Sequence, residues 1–362
     1  MSVEIWPPIS SAELKIQEDA TQARELAWLL TSLRSTLSSL RGGLEDCAAL
    51  LTPPPDTDTS GSTLALTTSR NEIVKGYATR AGTRLVRGVV HLKLRTVPPQ
   101  TLALDPARPV RVPALASLDA LLARAVALCL DLDEEQQQQQ QQQHERRRKS
   151  LSSSSSPPHP EAQYLAARLR LLARHIADAA ALVRGPPRPV TPNPGSSPSS
   201  THSSHGQEVG QQNPPVKPDT AWTTSSVSLG HFTPPISRNL SLYVTIQDAC
   251  LVLYLRALEP ADAPVNFGTK LALAIGTTRR LEHDEADKVF NYRCDDESYI
   301  EGAEAHETAR GKELEVYVRE KVRVESADPS LLSLSAKLSA LSNTLSLARR
   351  NLAAVMGEEV ED

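Results

Sequence analysis

Residues 328–357 read DPSLLSLSAKLSALSNTLSLARRNLAAVMG, and the fold is decided by how this stretch is read. Leu331, Leu334, Leu338, Leu341, Leu345, Ala348, Leu352 and Val355 recur at alternating steps of three and four. An α-helix gathers such positions on one face and leaves the Ser, Asn, Lys and Arg between them on the other. Asp328 suits an N-cap, Pro329 the first turn and Gly357 a stop, so the pattern predicts a helix from Asp328 to about Met356. Burying one leucine side chain is worth roughly 1.5–3 kcal/mol, and a stripe this long therefore needs partners.

The same alternation occurs three more times. Leu26, Leu30, Leu33, Leu37, Leu40, Leu44, Cys47 and Leu51 carry it in a helix expected over 10–52, after Trp6-Pro7-Pro8 and before Pro53-Pro54-Pro55. Gly42-Gly43 inside that pattern costs about 1 kcal/mol per glycine relative to alanine and points to a local bend. Leu115, Leu118, Leu122, Ala125, Cys129 and Leu132 predict a helix over 113–133. Leu165, Leu169, Leu172, Ile176, Ala179 and Val183 predict another over 161–185. Four stripes in one polypeptide favour an antiparallel bundle over a dimeric zipper, because a tether holds the segments at an effective concentration of order millimolar. The alternative is a homodimeric coiled-coil adaptor, nuclear if the basic run Arg146-Arg147-Arg148-Lys149 serves import.

Between the helices the period drops to two. Short β-prone runs at 63–68, 73–79 and 85–94, punctuated by Asn71, Ala81-Gly82 and Gly88, place one part of a β domain at 62–112. Pro98-Pro99 and the stretch from Pro106 to Pro113 read as loop. A second part over 222–326 holds a hairpin at 240–258, turning near Gln247-Asp248, and further runs at 271–275, 288–292 and 314–324. In the last run Leu314, Val316 and Val318 share a face. Two low-complexity tracts intervene. Residues 134–160 hold eight glutamines, the basic run and a serine tract, and 186–221 takes nine of the chain's 27 prolines. Both bury too little apolar surface to offset their ordering entropy, and they are assigned as a disordered insert and a disordered linker, with extension of the preceding helix into the glutamines left open. The expected class is α+β: an antiparallel four-helix bundle of the N- and C-terminal helices plus two central helices (10–52, 113–133, 161–185, 327–357), joined to a discontinuous antiparallel β domain.

A net charge of −4 and an isoelectric point near 6.2 give no electrostatic push toward nucleic acid. A basic-leucine-zipper reading fails too, because mixed charge precedes the first stripe where DNA readout needs a basic helix. No apolar run reaches the ~20 residues of a membrane-spanning helix. The first residues lack the basic-then-apolar layout of a signal peptide, so a cytosolic chain without direct membrane insertion is expected. Cys47, Cys129, Cys250 and Cys294 show no disulfide spacing, and the first two sit on the stripes as small reduced hydrophobes.

Catalytic layouts are absent from the sequence. Gly268-Thr269-Lys270 has the wrong order for a phosphate loop, and neither a Gly-x-Ser-x-Gly elbow nor a His-Glu-x-x-His pair occurs. His202 and His205 have metal-like spacing but sit among serines of the linker. His175 reads as a boundary residue of the third helix. His283-Asp284-Glu285 with Asp287 reads as a solvated acidic loop rather than a cation site. The expectation is no enzyme, no catalytic residue, no cofactor and no metal.

Several stretches, in order along the chain, resemble the Rogdi leucine-zipper family. They are Glu25-Leu26-Ala27-Trp28-Leu29-Leu30, Val74-Lys75-Gly76, His91-Leu92-Lys93-Leu94-Arg95 and, most specifically, Leu242 to Pro260 with Val244, Ile246, Cys250, Leu251, Tyr254 and Leu258. The glutamine-serine insert, the proline-serine linker and the tail Glu358-Glu359-Val360-Glu361-Asp362 depart from the family pattern. The resemblance implies a helical bundle joined to an antiparallel β domain. It also implies the role of the fungal family members, the small accessory subunit of the RAVE complex, which regulates assembly of the vacuolar proton-pumping ATPase. The implied partners are the large β-propeller scaffold subunit of RAVE and vacuolar ATPase subunits. The implied location is cytoplasmic, recruited peripherally to vacuolar or endosomal membranes. The chain on its own is expected to be monomeric. Exposed edge strands and the outward sides of the first and last helices are equal candidates for the partner-binding surface.

Overall fold

The computed structural model describes residues 9–52, 61–68, 72–149, 159–186, 220–262, 283–286, 288–293 and 313–357, with side chains for all of these except 136–149 and 159–161. The predicted strand at 271–275, His202, His205, Gly268 to Lys270, Asp287, Cys294, Asn71 and the acidic tail lie outside the described residues.

Four long helices carry the stripes: α1 (Ser11–Leu51), α2 (Pro113–Lys149), α3 (His159–Arg184) and α5 (Pro329–Met356), with a short α4 (Trp222–Ser225) between the last two. Ser10 caps α1 by accepting the Glu13 N–H at 3.2 Å. Asp328 caps α5 by accepting the Ser330 N–H at 2.9 Å, and Gly357 ends it in the left-handed region at φ +70°. These are the start and stop residues read from the sequence. Helix α1 packs on α2 and α5, and α3 packs on α2 and α5. The α1–α5 pair is antiparallel: Gln22 Nε2 donates to the Val355 carbonyl at 2.9 Å near one end, and Lys337 Nζ to Asp46 Oδ2 at 2.7 Å near the other.

The stripes form the seam with small adjustments. Leu29 is buried and Leu30 half-buried, Leu341 is half-buried, and Met356 replaces Val355 at the end of α5. Helix α1 runs unbroken through Gly42-Gly43 to Leu51. A Cβ on Gly43 would fall 2.6 Å from Leu341 Cδ2, whereas one on Gly42 would meet nothing within 4 Å. Gly43 thus seats Leu341. Helix α2 runs through the glutamines to Lys149, the extension of the preceding helix that the sequence left open. Once buried residues such as Leu115 and Leu128 hold a helix in place, each added residue gains a backbone hydrogen bond without a new nucleation cost.

The β structure is antiparallel throughout and forms two sheets. The first contains β1 (Ser62–Thr67), β2 (Val74–Ala81), β3 (Arg84–Leu92), β4 (Gln100–Leu104), β5 (Val110–Arg111) and β6 (Phe232–Thr233), in the order β1-β2-β3-β4-β6 with β5 beside β3. Only β6 comes from the second part of the chain. The proline-flanked stretch read as loop supplies β4 and β5, whose Leu102, Leu104 and Val110 are buried. The second sheet contains β7 (Leu240–Gln247), β8 (Cys250–Pro260), β9 (Val289–Arg293) and β10 (Glu313–Ala327), in the order β7-β8-β10-β9. Its first hairpin turns at Asp248-Ala249, both at positive φ (51° and 59°), the geometry a two-residue hairpin loop requires.

Strand β10 changes face along its length. The register with β8 slips between Val318 and Glu320, leaving Arg319 as an extra residue. A one-residue bulge reverses which side chains face inward. Val316 and Val318 therefore join Tyr243, Leu258, Phe290, Tyr292 and Trp222 on the outer side, while Val322 and Val324 join the main core. That core is continuous from the helices through the facing sides of both sheets. A cavity of about 30 Å³ remains between the sheets, lined by apolar residues including Leu66, Val90, Leu104, Phe232, Val244 and Leu253.

Candidate interaction surfaces and the joints that position them

Three polar joints fix the helices and the sheets to one another. In the first, Arg80 of β2 donates from Nε to Asp328 Oδ2 at 2.5 Å and from Nη1 to the Gly82 carbonyl at 2.7 Å. Both members of the pair are buried, at 3% and 0% exposure, and the second oxygen of Asp328 is the cap of α5. One carboxylate therefore ties the first sheet to the start of the last helix. In the second, Glu320, turned inward by the bulge, accepts through Oε2 from the backbone N–H groups of Arg95 (2.8 Å) and Thr96 (3.2 Å) and from Thr96 Oγ1 (3.2 Å). This pins the loop before β4 to the second sheet. In the third, the β7–β8 turn caps α3: Asp248 N–H donates to the Arg184 carbonyl at 2.8 Å and Ala249 N–H to the Val183 carbonyl at 3.0 Å. Those carbonyls have no partner within their own helix. Gly185 makes the approach possible, since it sits at φ +67° and a Cβ there would lie 2.2 Å from the Ile246 carbonyl oxygen.

The outer side of the second sheet is closed by a charged aromatic cluster. Arg256 donates from Nε and Nη2 to Glu285 at 2.7 and 3.0 Å, with both side chains 2% exposed. The guanidinium carbon lies 4.5 Å from the Trp222 ring centroid and 5.2 Å from that of Tyr254. Lys321 Nζ reaches Glu285 at 2.6 Å and Asp284 at 2.8 Å. Burial alone would raise the Glu285 pKa, but hydrogen bonds from Arg256 and Lys321 override it and hold the carboxyl below its usual range. Asp284 is lowered in the same way, burial being outweighed by Lys321. The acidic group read as a solvated loop is thus, at Glu285, a buried half of an ion pair. Arg256 is the one charge inside the apolar run from Cys250 to Leu258, and that interruption is the sequence signal that it needs a buried carboxylate.

The other singled-out residues fall into structural places. His175 is half-buried on α3, and His283 Nδ1 accepts the Glu285 N–H at 3.2 Å. Cys47 and Cys129 are buried free thiols; burial pushes their pKa values to about 11 and about 12, so both stay protonated. Among the described residues no three His, Cys, Asp or Glu side chains are grouped to hold a metal ion, and no helix is long and apolar enough to cross a membrane.

What the described surface offers is area. Exposed large apolar side chains are most frequent at α1, with Ile9 just before it and Leu14, Ile16 and Trp28 on it; α3 (Tyr164, Leu171) and α5 (Leu332, Leu347) carry two each, and Tyr77, Leu130 and Val289 lie on β2, α2 and β9. Trp28 is 73% exposed. Helix α1 also runs past the end of α5, since Gln22 reaches the last turn of α5 while α1 begins at Ser11.

No curated protein matches the chain. A family model described as Rogdi leucine zipper containing protein matches residues 25–353, from the turn of α1 that begins its buried stripe to the last turn of α5. With helices, both sheets and the joints between them all inside that match, the chain belongs to the Rogdi leucine-zipper family.

Proposed function

We propose that the chain is a non-enzymatic subunit of a RAVE-type complex that promotes reassembly of the vacuolar proton-pumping ATPase. It binds a large β-propeller scaffold subunit and subunits of the pump, in the cytoplasm and at the surface of vacuolar or endosomal membranes. The observation that carries this reading is the family match over 25–353. The polar groups with the closest partners support it, because Arg80, Asp328, Arg256, Glu285 and Glu320 are engaged in closing the fold. The four long helices act as one antiparallel bundle that the joints hold rigidly against the sheets. A body of this kind contributes binding energy to a docking step, and its partners meet a preformed surface.

The test is purification of the tagged full chain from cells at native level. Co-purification of a large propeller protein together with pump subunits, and slowed reacidification of the vacuolar lumen when the gene is deleted, are the expected results. Normal reacidification in the deletion strain, with neither partner recovered, contradicts the proposal.

A further inference from the structure

The first sheet turns one face to the core, and its strand register says what lies on the other. Leu66, Ala78, Leu85, Val90 and Leu102 point inward and belong to the main core. Side chains alternate along a strand, so Ala65, Tyr77, Val89 and Ala103 form one outward row across β1 to β4. On either side of that row Lys75 stands opposite His91 and Arg84 opposite Arg111, with Arg87 opposite Thr79. All five basic side chains are exposed, and no Asp or Glu takes an outward position on the six strands. Glu72, just before β2, lies 3.7 Å from Lys75, while Asp105, just after β4, is half-buried and accepts the Ala107 N–H at 2.9 Å. Residues 72–113 thus carry eight Lys and Arg against two carboxylates, in a chain whose net charge is −4.

The charge on this face is left unrelieved. Arg80, Arg256, Arg319 and Arg323 each hold a carboxylate. Among the described residues Arg84, Arg87 and Arg111 have neither an ion pair nor a side-chain hydrogen bond. Arg84 and Arg111 are moreover directly opposed on β3 and β5, and like charges in such positions destabilise a sheet. From Arg84 to His91 the basic band follows β3 for about 20 Å. Three bare arginines, two of them in repelling positions, point to a negative partner outside the chain.

We propose that the outward face of the first sheet docks on an anionic membrane, its cations meeting phosphatidylserine-type headgroups. Two features favour a bilayer over an acidic protein. The cations are spread over β2, β3 and β5, a layout that mobile headgroups match one by one, whereas a fixed protein surface must match all at once. The row between them is uncharged: Tyr77, 45% exposed, stands opposite half-buried Val89, and a tyrosine ring with its hydroxyl suits the headgroup level. A cluster of four or more Lys and Arg is the electrostatic footprint of anionic lipid recognition. Contact of this kind is reversible and peripheral, without insertion. The assignment deepens the reading of the chain as a factor acting at membrane surfaces and gives that reading a face.

The test is flotation of the purified full chain with phosphatidylcholine vesicles that contain or lack phosphatidylserine. Binding is expected with phosphatidylserine only, and it should fall as salt rises. Arg84→Gln/Arg87→Gln is expected to lower the partition coefficient at least about tenfold. The same change relieves the opposition of Arg84 and Arg111, so the melting temperature should hold or rise, which shows that the variant is folded. The control Lys15→Gln/Arg24→Gln removes equal charge from exposed positions on α1 and is expected to change partition less than about twofold. Equal binding to phosphatidylcholine alone, equal loss in the control, or absence of binding at low salt overturns the proposal. Binding of a glutamate-rich peptide without binding of the vesicles overturns it too, and assigns the face to an acidic protein. Vesicles report on the chain alone, and reacidification in the deletion strain on the pump, so the two readings fail separately.

Discussion

The two adjacent glycines of α1 show how far single positions can be read from sequence. As residue types they are equivalent helix weakeners, and their pattern suggested a bend. Their neighbours separate them, because Gly43 faces Leu341 and Gly42 faces open space. Gly42→Ala is therefore expected to stabilise the protein by roughly 0.5–1 kcal/mol, the usual gain in a helix interior. Gly43→Ala should gain less or nothing, since Leu341 must move to admit the methyl. Denaturant midpoints of the two variants check this, and equal gains contradict it. Glu285 gives a pH-dependent case. Its pKa is lowered on folding, so its stabilisation is present above the 4.5 of an unperturbed glutamate and is lost as pH falls through the lower folded value. Glu285→Gln leaves Arg256 buried without its counter-charge, a loss of roughly 3–5 kcal/mol near neutrality. The gap in melting temperature between wild type and variant should close as the wild-type carboxyl protonates. A gap that persists unchanged in strong acid contradicts the ion-pair account.

At the scale of elements, periodicity carried most of the reading. The buried faces of α1, α2, α3 and α5, their caps, and the β7–β8 hairpin with its turn were visible because each depends on local spacing or local turn chemistry. Strands β4 and β5 were not, since prolines around them read as loop and their pairing partner β3 is remote. The division into two sheets was equally hidden, because it depends on which remote strands pair, and so was the change of face along β10, set by a bulge at Arg319 that no local pattern announces. The glutamine stretch stayed open for the opposite reason: composition describes an isolated segment, whereas this one continues a helix already anchored by packing. The central leucines belong to one core that reaches both sheets, so a defect in a helix should be felt beyond it. Leu37→Ala should cost about 2–5 kcal/mol, and Leu37→Asp should abolish the helical circular dichroism together with the amide-exchange protection of β7 and β8, whose Leu242, Val244, Leu251 and Leu253 belong to the same core. Full helicity in Leu37→Asp, or loss of the helices with the protection of β7 and β8 intact, contradicts a shared core.

At the scale of the molecule, the stripes that could have built a dimeric zipper are turned toward one another within the chain, two of the joints tie α3 and α5 to the sheets, and the third ties the two sheets together. The surface left over includes exposed apolar residues on α1 and α5, among them Trp28, Leu332 and Leu347. The measurement that tests this most directly is the mass of the purified chain by light scattering over a wide range of concentration. The account predicts 39.3 kDa at every concentration. A mass of about twice that value, rising toward it as concentration rises and lost on Leu338→Asp without unfolding, would mean that the stripes serve a second copy and would contradict it.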